Sequence, residues 1–252
     1  MRIAVVIPTR NEADHLGATL DSLTDGAPDA LVVADCDSED GTARIARDRG
    51  AAVLTGHGFD SRAAALRAGV EHLFIAAEDV QATRFDAIWF LHGDTLAPAG
   101  WREALESALA DPAVVGGAFT QRFLPVLPRP TWAQRRLLRF ACFANRLRYR
   151  VTGVYFGDQG LFVRPAALQA IGGVPQAPLM EDVELCKKLR REGRLRVSPV
   201  RISTSPRRFL RHGVVRQLLC DGWLLLRHRL GIPSENNYAA YNRDNQRPAA
   251  TP

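Results

Sequence analysis

Hydrophobic residues form short uninterrupted runs in the first third of the chain. They lie at residues 3–7, 31–34, 52–54 and 87–91. A short apolar run without polar alternation is typical of a strand that is buried on both faces, as in a parallel sheet. Between the runs, apolar residues recur at helical spacing, for example at Leu16, Leu20 and Leu23. This alternation predicts an α/β fold with a doubly wound, mostly parallel sheet and helices on both faces.

Small and polar residues mark the ends of the predicted helices. Asn11 precedes the first helical pattern and is predicted to be its N-cap, because its side chain can accept a hydrogen bond from a free backbone N–H. Ser61 has the same predicted role for the helix that contains Leu66, Val70 and Leu73. Gly50 suits the position after the second helix, where the backbone often turns left-handed.

Polar loops follow three of the four predicted strands. In open α/β sheets, ligands bind outside the carboxyl ends of the strands. If strands one and four flank the point where the strand order reverses, residues 8–12, residues 35–40 and Asp94 line one crevice. Gly93 permits close backbone approach, and Asp94 suits a hard cation or a hydroxyl-rich ligand. The alternative is that Asp94 only caps a loop.

The second half of the chain has a different character. Residues 101–109 predict a helix and residues 114–119 a strand. Residues 129–150 combine many arginines with apolar residues and predict a basic amphipathic helix. Its polar side is either a solvated face over the core or a surface for a membrane or an acidic partner. Residues 214–230 predict a helix docked on the core or at an interface, and residues 241–252 are predicted to be a disordered tail.

Composition sets bounds on the class of protein. The 252 residues suit one large α/β domain. The net charge of +6 suits an anionic substrate, a nucleotide or an anionic membrane surface. The widely separated Cys36, Cys142, Cys186 and Cys220 predict reduced thiols and so favour the cytoplasm. No signal peptide is expected before Pro8, and no apolar run approaches the roughly 20 residues that span a bilayer.

Four motifs in order resemble the family-2 glycosyltransferases of the GT-A fold. They are residues 7–12, the loop 35–42, His92-Gly93-Asp94 and Glu181-Asp182. Residues 157–162 and 178–185 are similar to the radical-SAM/selenodomain-associated transferase subgroup. The resemblance runs from about residue 3 to about residue 230. It implies one GT-A domain over residues 1–240, with a nucleotide-binding half at about 1–120 and an acceptor-binding half at about 121–240.

The resemblance also implies roles at matching positions. Asp182 matches the catalytic base of inverting members, and Glu181, which precedes it in the same motif, is the second candidate catalytic residue. Asp94 matches the last Asp of the metal-binding motif, which implies Mg²⁺ or Mn²⁺, although His92 replaces the first Asp. Arg67 stands where relatives often have Asn. Nucleotide contacts are implied at Pro8, Thr9, Arg10, Glu12, Asp35, Asp37, Arg62 and Gly93. Contacts to the diphosphate or the acceptor are implied at Asp158, Gln159, Arg207 and Arg208.

The resulting hypothesis is an inverting transfer of a sugar from a nucleotide-diphosphate sugar, with a UDP-sugar as the expected donor and an unknown acceptor. A divalent cation would neutralise the leaving diphosphate, and Asp182 would take the acceptor's proton. No nucleic-acid partner is expected, and peripheral contact with the inner face of the membrane would involve residues 129–150. One alternative is a nucleotidylyltransferase, although residues 8–12 lack its usual Gly-rich, Lys-containing loop. Another is a non-catalytic nucleotide-binding or membrane-surface protein.

Overall fold

An eight-stranded sheet organises the computed structural model, which describes residues 1–56, 59–75, 85–125, 129–233 and 238. The strands are β1 (Ile3–Thr9), β2 (Ala30–Asp35), β3 (Ala52–Thr55), β4 (Ala87–Phe90), β5 (Thr95–Leu96), β6 (Val114–Phe123), β7 (Phe162–Val163) and β8 (Arg194–Thr204). The helices are α1 (Ala13–Asp21), α2 (Thr42–Asp48), α3 (Arg62–Ile75), α4 (Trp101–Ala108), α5 (Trp132–Thr152), α6 (Pro165–Ala170), α7 (Glu181–Glu192), α8 (Arg207–His212) and α9 (Val214–Arg229). A short 3-10 helix spans Gly157–Gln159.

The strand order is β3-β2-β1-β4-β7-β6-β8-β5. β1 pairs in parallel with both β2 and β4, and β2 pairs in parallel with β3. The predicted α/β class and the doubly wound, mostly parallel sheet are therefore confirmed. β7 runs antiparallel between β4 and β6, and the short β5 pairs antiparallel with β8 at the far edge. Because β1 lies between β2 and β4, the loops that follow these three strands meet at one edge of the sheet.

The strand β8 was not predicted from the sequence, although it is one of the longest strands. It pairs in parallel with β6 but changes register between Phe119 and Thr120 of that strand. Pro199 lies within β8 at this change of register. A proline cannot donate to the ladder, and a shift in register breaks the alternation of apolar and polar residues. The local pattern of residues 194–204 therefore does not look like a strand.

Aromatic side chains pack beneath the carboxyl end of β4. Trp89 lies 5.0 Å from Trp101 and 5.2 Å from Phe119 between ring centroids, and Phe119 lies 5.8 Å from Phe162. All four side chains are buried. Trp89 Nε1 also donates a hydrogen bond to the Gly160 carbonyl at 3.2 Å. This packing surrounds the end of β4 directly before His92-Gly93-Asp94.

The predicted helix ends were partly confirmed. Ser61 Oγ accepts a hydrogen bond from the Ala64 N–H at 3.2 Å, and Gly50 has a left-handed φ of 77° after α2. The prediction for Asn11 was wrong, since Asn11 is itself left-handed and its Oδ1 accepts from the Glu39 N–H.

The N–H groups at the start of α1 are satisfied from the loop after β2 instead. Asp40 Oδ2 accepts from the Ala13 N–H at 3.0 Å, and Thr42 Oγ1 accepts from the Glu12 N–H at 2.8 Å. The capping groups therefore come from a neighbouring loop, about thirty residues away, and the two loops at the strand ends are fastened to each other.

Three further predictions concern membrane spans, the cysteines and the C-terminal tail. Within the described ranges, every helix is too short or too polar to cross a lipid bilayer. The four cysteines all lie in those ranges and form no disulfide. The predicted tail, residues 241–252, lies outside the described residues.

Candidate active site

A cleft of about 770 Å³ opens at the carboxyl ends of β1 and β4. The loops after these strands line one side, and the starts of α3 and α7 contribute to its floor. Side chains from α5, α9 and the 3-10 helix line another part of the cleft, which we call the far wall, and α8 contributes Arg207 and Arg208. The volume lies within the range of small-molecule sites, and the location is where open α/β sheets bind ligands.

The loop after β1 lines the cleft with Pro8, Thr9 and Arg10. Thr9 Oγ1 donates to Asp35 Oδ1 at 2.7 Å, and Asp35 also accepts two hydrogen bonds from Ser38. Asp35 is fully buried by these contacts and does not line the cleft. Asp37 is exposed in the same loop with a φ of 51° and does not line it either. In this conformation Asp35 orders the loops that surround the cleft.

Gly93 permits the close packing of the two strand-end loops. A Cβ atom at this position would lie 3.2 Å from both Thr9 Cγ2 and Glu12 Cγ. The Gly93 carbonyl accepts a hydrogen bond from Thr19 Oγ1 at 2.8 Å. The absent side chain and this bond bring Asp94 next to Glu12.

Arg207 bridges these two carboxylates from α8. Its Nη2 lies 3.2 Å from Asp94 Oδ2 and also contacts Glu12 Oε1. Burial raises the pKa of Glu12, the contact with Arg207 opposes the rise, and the nearby Asp94 adds to it. Glu12 Oε2 is buried without a hydrogen-bond partner. We call Arg207, Glu12 and Asp94 the Arg207 cluster.

The Arg207 cluster fits a divalent cation only together with a bound diphosphate. Glu12 Oε2 is a spare carboxylate oxygen, and Asp94 lies beside it. No group of three or more His, Cys, Asp or Glu residues suited to a metal occurs in the described part of the chain. Mg²⁺ commonly uses one or two protein carboxylates and completes its shell with phosphate oxygens and water. Glu12 and Asp94 would therefore provide only part of a coordination shell.

A second arginine binds the acidic motif at the start of α7. Arg62 Nε donates to Glu181 Oε1 at 2.5 Å, and Nη2 donates to Asp182 Oδ2 at 3.1 Å. Its Nη1 lies 2.6 Å from His92 Nε2. The Glu181 and Asp182 side chains are only 3% and 8% exposed. We call Arg62, His92, Glu181 and Asp182 the Arg62 cluster.

Burial shifts the pKa values of two members of the Arg62 cluster, Glu181 and His92. It raises the pKa of Glu181 to about 7, with Arg62 opposing the rise and Asp182 adding to it. Burial lowers the pKa of His92 well below its usual range, and the charges of Arg62 and Arg207 lower it further. His92 is therefore neutral, and the network assigns Nε2 as the acceptor from Arg62. With Nε2 facing a guanidinium, His92 is a polar partner of Arg62 in this conformation.

Backbone groups hold Asp182 in place. The Gly157 N–H donates to Oδ2 at 2.7 Å, and the Val183 N–H donates to Oδ1 at 2.8 Å. A Cβ at Gly157 would lie 2.6 Å from Arg62 Nη1 and 2.8 Å from His92 Nε2, so a larger residue would displace the cluster. Met180 precedes the motif with a φ of 64°. Such left-handed non-glycine residues store strain and concentrate at functional sites.

Beside the predicted Asp158, the far wall contains three polar residues that were not predicted from the sequence, Gln121, Asn145 and Arg148. Gln121 Nε2 donates to Asp158 Oδ2 at 2.5 Å, and Asn145 Nδ2 donates to Gln121 Oε1 at 2.9 Å. Burial raises the pKa of Asp158 to about 6, while Arg148 opposes the rise. Asp158 Oδ1 is buried without a hydrogen-bond partner, and Asp158, Asn145 and Arg148 line the cleft. Asn145 and Arg148 lie on the inner face of the arginine-rich helix, so the amphipathic pattern of residues 129–150 is the sequence signal that could have located them.

The remaining predicted residues differ in whether they line the cleft. Arg208 lines the cleft and lies 3.5 Å from Asp221 of α9. Gln159 is fully buried, and its Oε1 accepts hydrogen bonds from Arg148 Nη2 and the Phe156 N–H. Gln159 therefore supports the wall from behind. Arg67 pairs with Glu71 on α3 at 3.8 Å and does not line the cleft.

Comparison with solved structures supports the fold. Glucosyl-3-phosphoglycerate synthase from Mycobacterium tuberculosis, in complex with Mn²⁺, UDP-glucose and phosphoglyceric acid, is 21% identical with a TM-score of 0.58. The match covers 92% of this chain and 80% of that chain. TarS from S. aureus, residues 1–349, is 16% identical with a TM-score of 0.57, over 82% of this chain and 61% of that chain. No curated protein matches the sequence.

The sequence also matches a family directly. Residues 4–168, more than half of the chain, match the family described as Glycosyl transferase family 2. The match includes the loops after β1, β2 and β4 and the 3-10 helix that holds Asp158. The protein is thus a member of glycosyl transferase family 2, a glycosyltransferase with the GT-A fold.

Proposed function

We propose that the protein transfers a sugar from a UDP-sugar to an acceptor that binds against the far wall of the cleft, with inversion at the anomeric carbon. The observation that carries this proposal is the pair of arginine-centred clusters facing one cleft. The Arg207 cluster offers a guanidinium and two carboxylates suited to a metal-bound diphosphate. The Arg62 cluster holds the carboxylate of Asp182 in a fixed position. The complex of the M. tuberculosis enzyme with UDP-glucose and Mn²⁺ supports the choice of donor.

The donor would bind at the strand ends. Pro8, Thr9 and Arg10 would enclose the nucleotide, and Gly93 would let its diphosphate approach the backbone. Arg207 would donate charge-assisted hydrogen bonds to the diphosphate. Glu12 and Asp94 would hold Mg²⁺ or Mn²⁺, which when bound neutralises negative charge on the leaving group.

Asp182 would act as the general base. Its two oxygens accept hydrogen bonds from Gly157, Val183 and Arg62. A carboxylate offers about four lone-pair sites, so one remains for the hydroxyl of the acceptor. The backbone bonds fix the orientation of the carboxylate towards the acceptor hydroxyl, whose proton it would take. A single displacement with the base opposite the leaving diphosphate inverts the anomeric carbon.

Calorimetry with UDP and Mn²⁺ tests the donor site. Wild type should bind UDP at least tenfold more tightly with Mn²⁺ than without it, because Asp94 would help to hold a cation that neutralises the charge of the diphosphate. Asp94→Ala should lose this metal dependence. Asp48→Ala, which changes an exposed carboxylate outside the cleft lining, is the matched control and should behave as wild type. Identical UDP affinity in all three proteins, with and without Mn²⁺, would exclude Asp94 from the donor site.

A panel of nucleotide-sugars, read as release of the nucleoside diphosphate, tests the reaction. Slow hydrolysis of at least one UDP-sugar is expected. Substitution of the residues proposed to bind the donor or to take the proton should reduce it. Release of pyrophosphate from a nucleoside triphosphate would instead support a nucleotidylyltransferase. UDP binding without turnover of any donor would support a binding protein. Membership in the radical-SAM-associated subgroup and the division into two functional halves stay predictions.

A further inference from the structure

α5 carries a continuous apolar stripe on its solvent side. Trp132, Phe140, Phe143, Leu147 and Val151 are between 55% and 77% exposed. At about 100° per residue, these positions fall within an arc of about 100° on the helix surface. The inner face of the same helix carries the buried Leu138, Ala141 and Tyr149. The exposed aromatic side chains therefore face away from the core.

α9 repeats this arrangement. Val215, Leu219, Trp223 and Leu226 on the helix, and Leu230 directly after it, are between 47% and 70% exposed. They fall within an arc of about 80° on the helix surface. Its opposite side buries Val214, Gln217 and Leu224 against the rest of the protein. α9 thus has its own exposed apolar stripe, although Asp221 and Gly222 interrupt its sequence.

The two stripes belong to neighbouring elements, because α5 and α9 contact each other. Twelve large hydrophobic residues are exposed in the described ranges, and ten of them lie on these two stripes. Scattered exposed hydrophobic residues are ordinary, whereas such concentration marks an interaction surface. We call the two stripes together the α5–α9 surface.

The charges beside the α5–α9 surface identify its partner. α5 contains six arginines and no acidic residue. Arg135, Arg136, Arg139 and Arg150 are exposed beside the apolar stripe. In a two-fold dimer each copy presents the same patch, so a second copy would bring these arginines towards one another. An anionic lipid surface instead offers phosphate groups to the arginines and acyl chains to Trp132 and Trp223.

We infer that the α5–α9 surface docks the protein on an anionic lipid bilayer. The helices lie in the plane of the interface, with their apolar stripes at the boundary between headgroups and acyl chains. The inner sides of the same helices carry Asn145, Arg148 and Asp221 into the cleft wall. Docking therefore places the far wall of the cleft next to the lipid surface. This inference does not depend on the proposed chemistry.

Co-sedimentation with vesicles tests the docking surface. Wild type should bind vesicles of phosphatidylglycerol and phosphatidylcholine at low salt and bind pure phosphatidylcholine vesicles at least tenfold more weakly. Phe143→Ser/Trp223→Ser should lower the partition coefficient on anionic vesicles by about tenfold, because one aromatic anchor is lost from each helix. Arg136→Glu/Arg139→Glu should also weaken binding and remove its salt dependence.

Ile75→Ser is the matched control, since Ile75 is 81% exposed but belongs to neither stripe. It should bind vesicles as wild type does. Unchanged UDP affinity and melting temperature in the stripe variants would show that they remain folded with an intact donor site. Absence of wild-type binding to anionic vesicles would overturn the inference. A concentration-dependent dimer in sedimentation velocity, lost in Phe143→Ser/Trp223→Ser, would assign the surface to a second copy of the chain.

Discussion

Two arginines face the same cleft, and their surroundings differ. Arg62 is 32% exposed and binds two carboxylates that are almost completely buried. Arg207 is 45% exposed and bridges carboxylates that are each 14% exposed. Backbone N–H groups also hold the Arg62 cluster, whereas Arg207 reaches its partners from the short helix α8. The first cluster is thus part of the folded framework, and the second can exchange partners.

The difference has an electrostatic cause. A buried carboxylate that loses its cation stays uncompensated in a medium of low polarity, so removing one partner is costly. An exposed pair is screened by water and contributes little to stability. We therefore expect removal of Arg62 from its cluster to affect folding. Variants of the Arg207 cluster should mainly affect the binding of anionic ligands.

The largest effect is expected at the proposed base. Asp182→Asn should lower turnover by about 10²- to 10⁴-fold, because the amide cannot take the acceptor's proton. UDP affinity, measured by calorimetry, should stay within a few-fold of wild type. Glu181→Gln is the matched control and should retain most of the turnover. Equal losses in the two variants would mean that the motif positions the substrate and that the base lies elsewhere.

Removing Arg62 should produce the largest effect on stability. Arg62→Met leaves Glu181 and Asp182 buried without their cation, and should lower the free energy of unfolding by about 3 kcal/mol. Arg207→Met should change it by less than about 1 kcal/mol, because this pair is more exposed. Urea denaturation followed by circular dichroism measures both values. Equal destabilisation by the two substitutions would remove the distinction between the clusters.

Arg207→Met should weaken ligand binding instead. Loss of its charge-assisted hydrogen bonds should reduce the affinity for UDP by about tenfold, which corresponds to about 1.4 kcal/mol. Arg207→Lys keeps the charge and should recover part of the affinity. Calorimetry at fixed ionic strength measures both variants. An unchanged affinity in Arg207→Met would leave Arg207 as a partner of Glu12 and Asp94 alone.

The smallest effect concerns pH. The pKa of Glu181 is raised from 4.5 to about 7, so the folded protein binds a proton there that the unfolded chain has released. Glu181 therefore makes stability fall as pH rises from about 4.5 to about 7. Relative to Glu181→Gln, the melting temperature of wild type should decrease across this range. Because Asp158 titrates in both proteins, the difference isolates Glu181. A constant difference would show that Glu181 does not titrate in this range.

Much of the fold follows from local patterns. The apolar runs of β1 to β4 and the helical spacing of α1, α3 and α9 were visible without a structure. The order of polar loops at residues 8–12, 35–40 and 92–94 located one side of the cleft. β8 was missed because Pro199 and a change of register interrupt its alternation. Asn11 was misassigned because Asp40 and Thr42 supply the hydrogen bonds at the start of α1.

The sequence by itself determined which residue types stand at the strand ends and which helices are amphipathic, because these features depend on neighbours along the chain. Only the tertiary structure decided their partners. Arg207 contacts Glu12 across 195 positions, and Arg62 contacts Glu181 across 119. Packing also buried Glu181 while leaving the α5–α9 surface exposed. Charge and periodicity depend on residues that are close in sequence, whereas burial and pairing depend on which distant elements the sheet brings together.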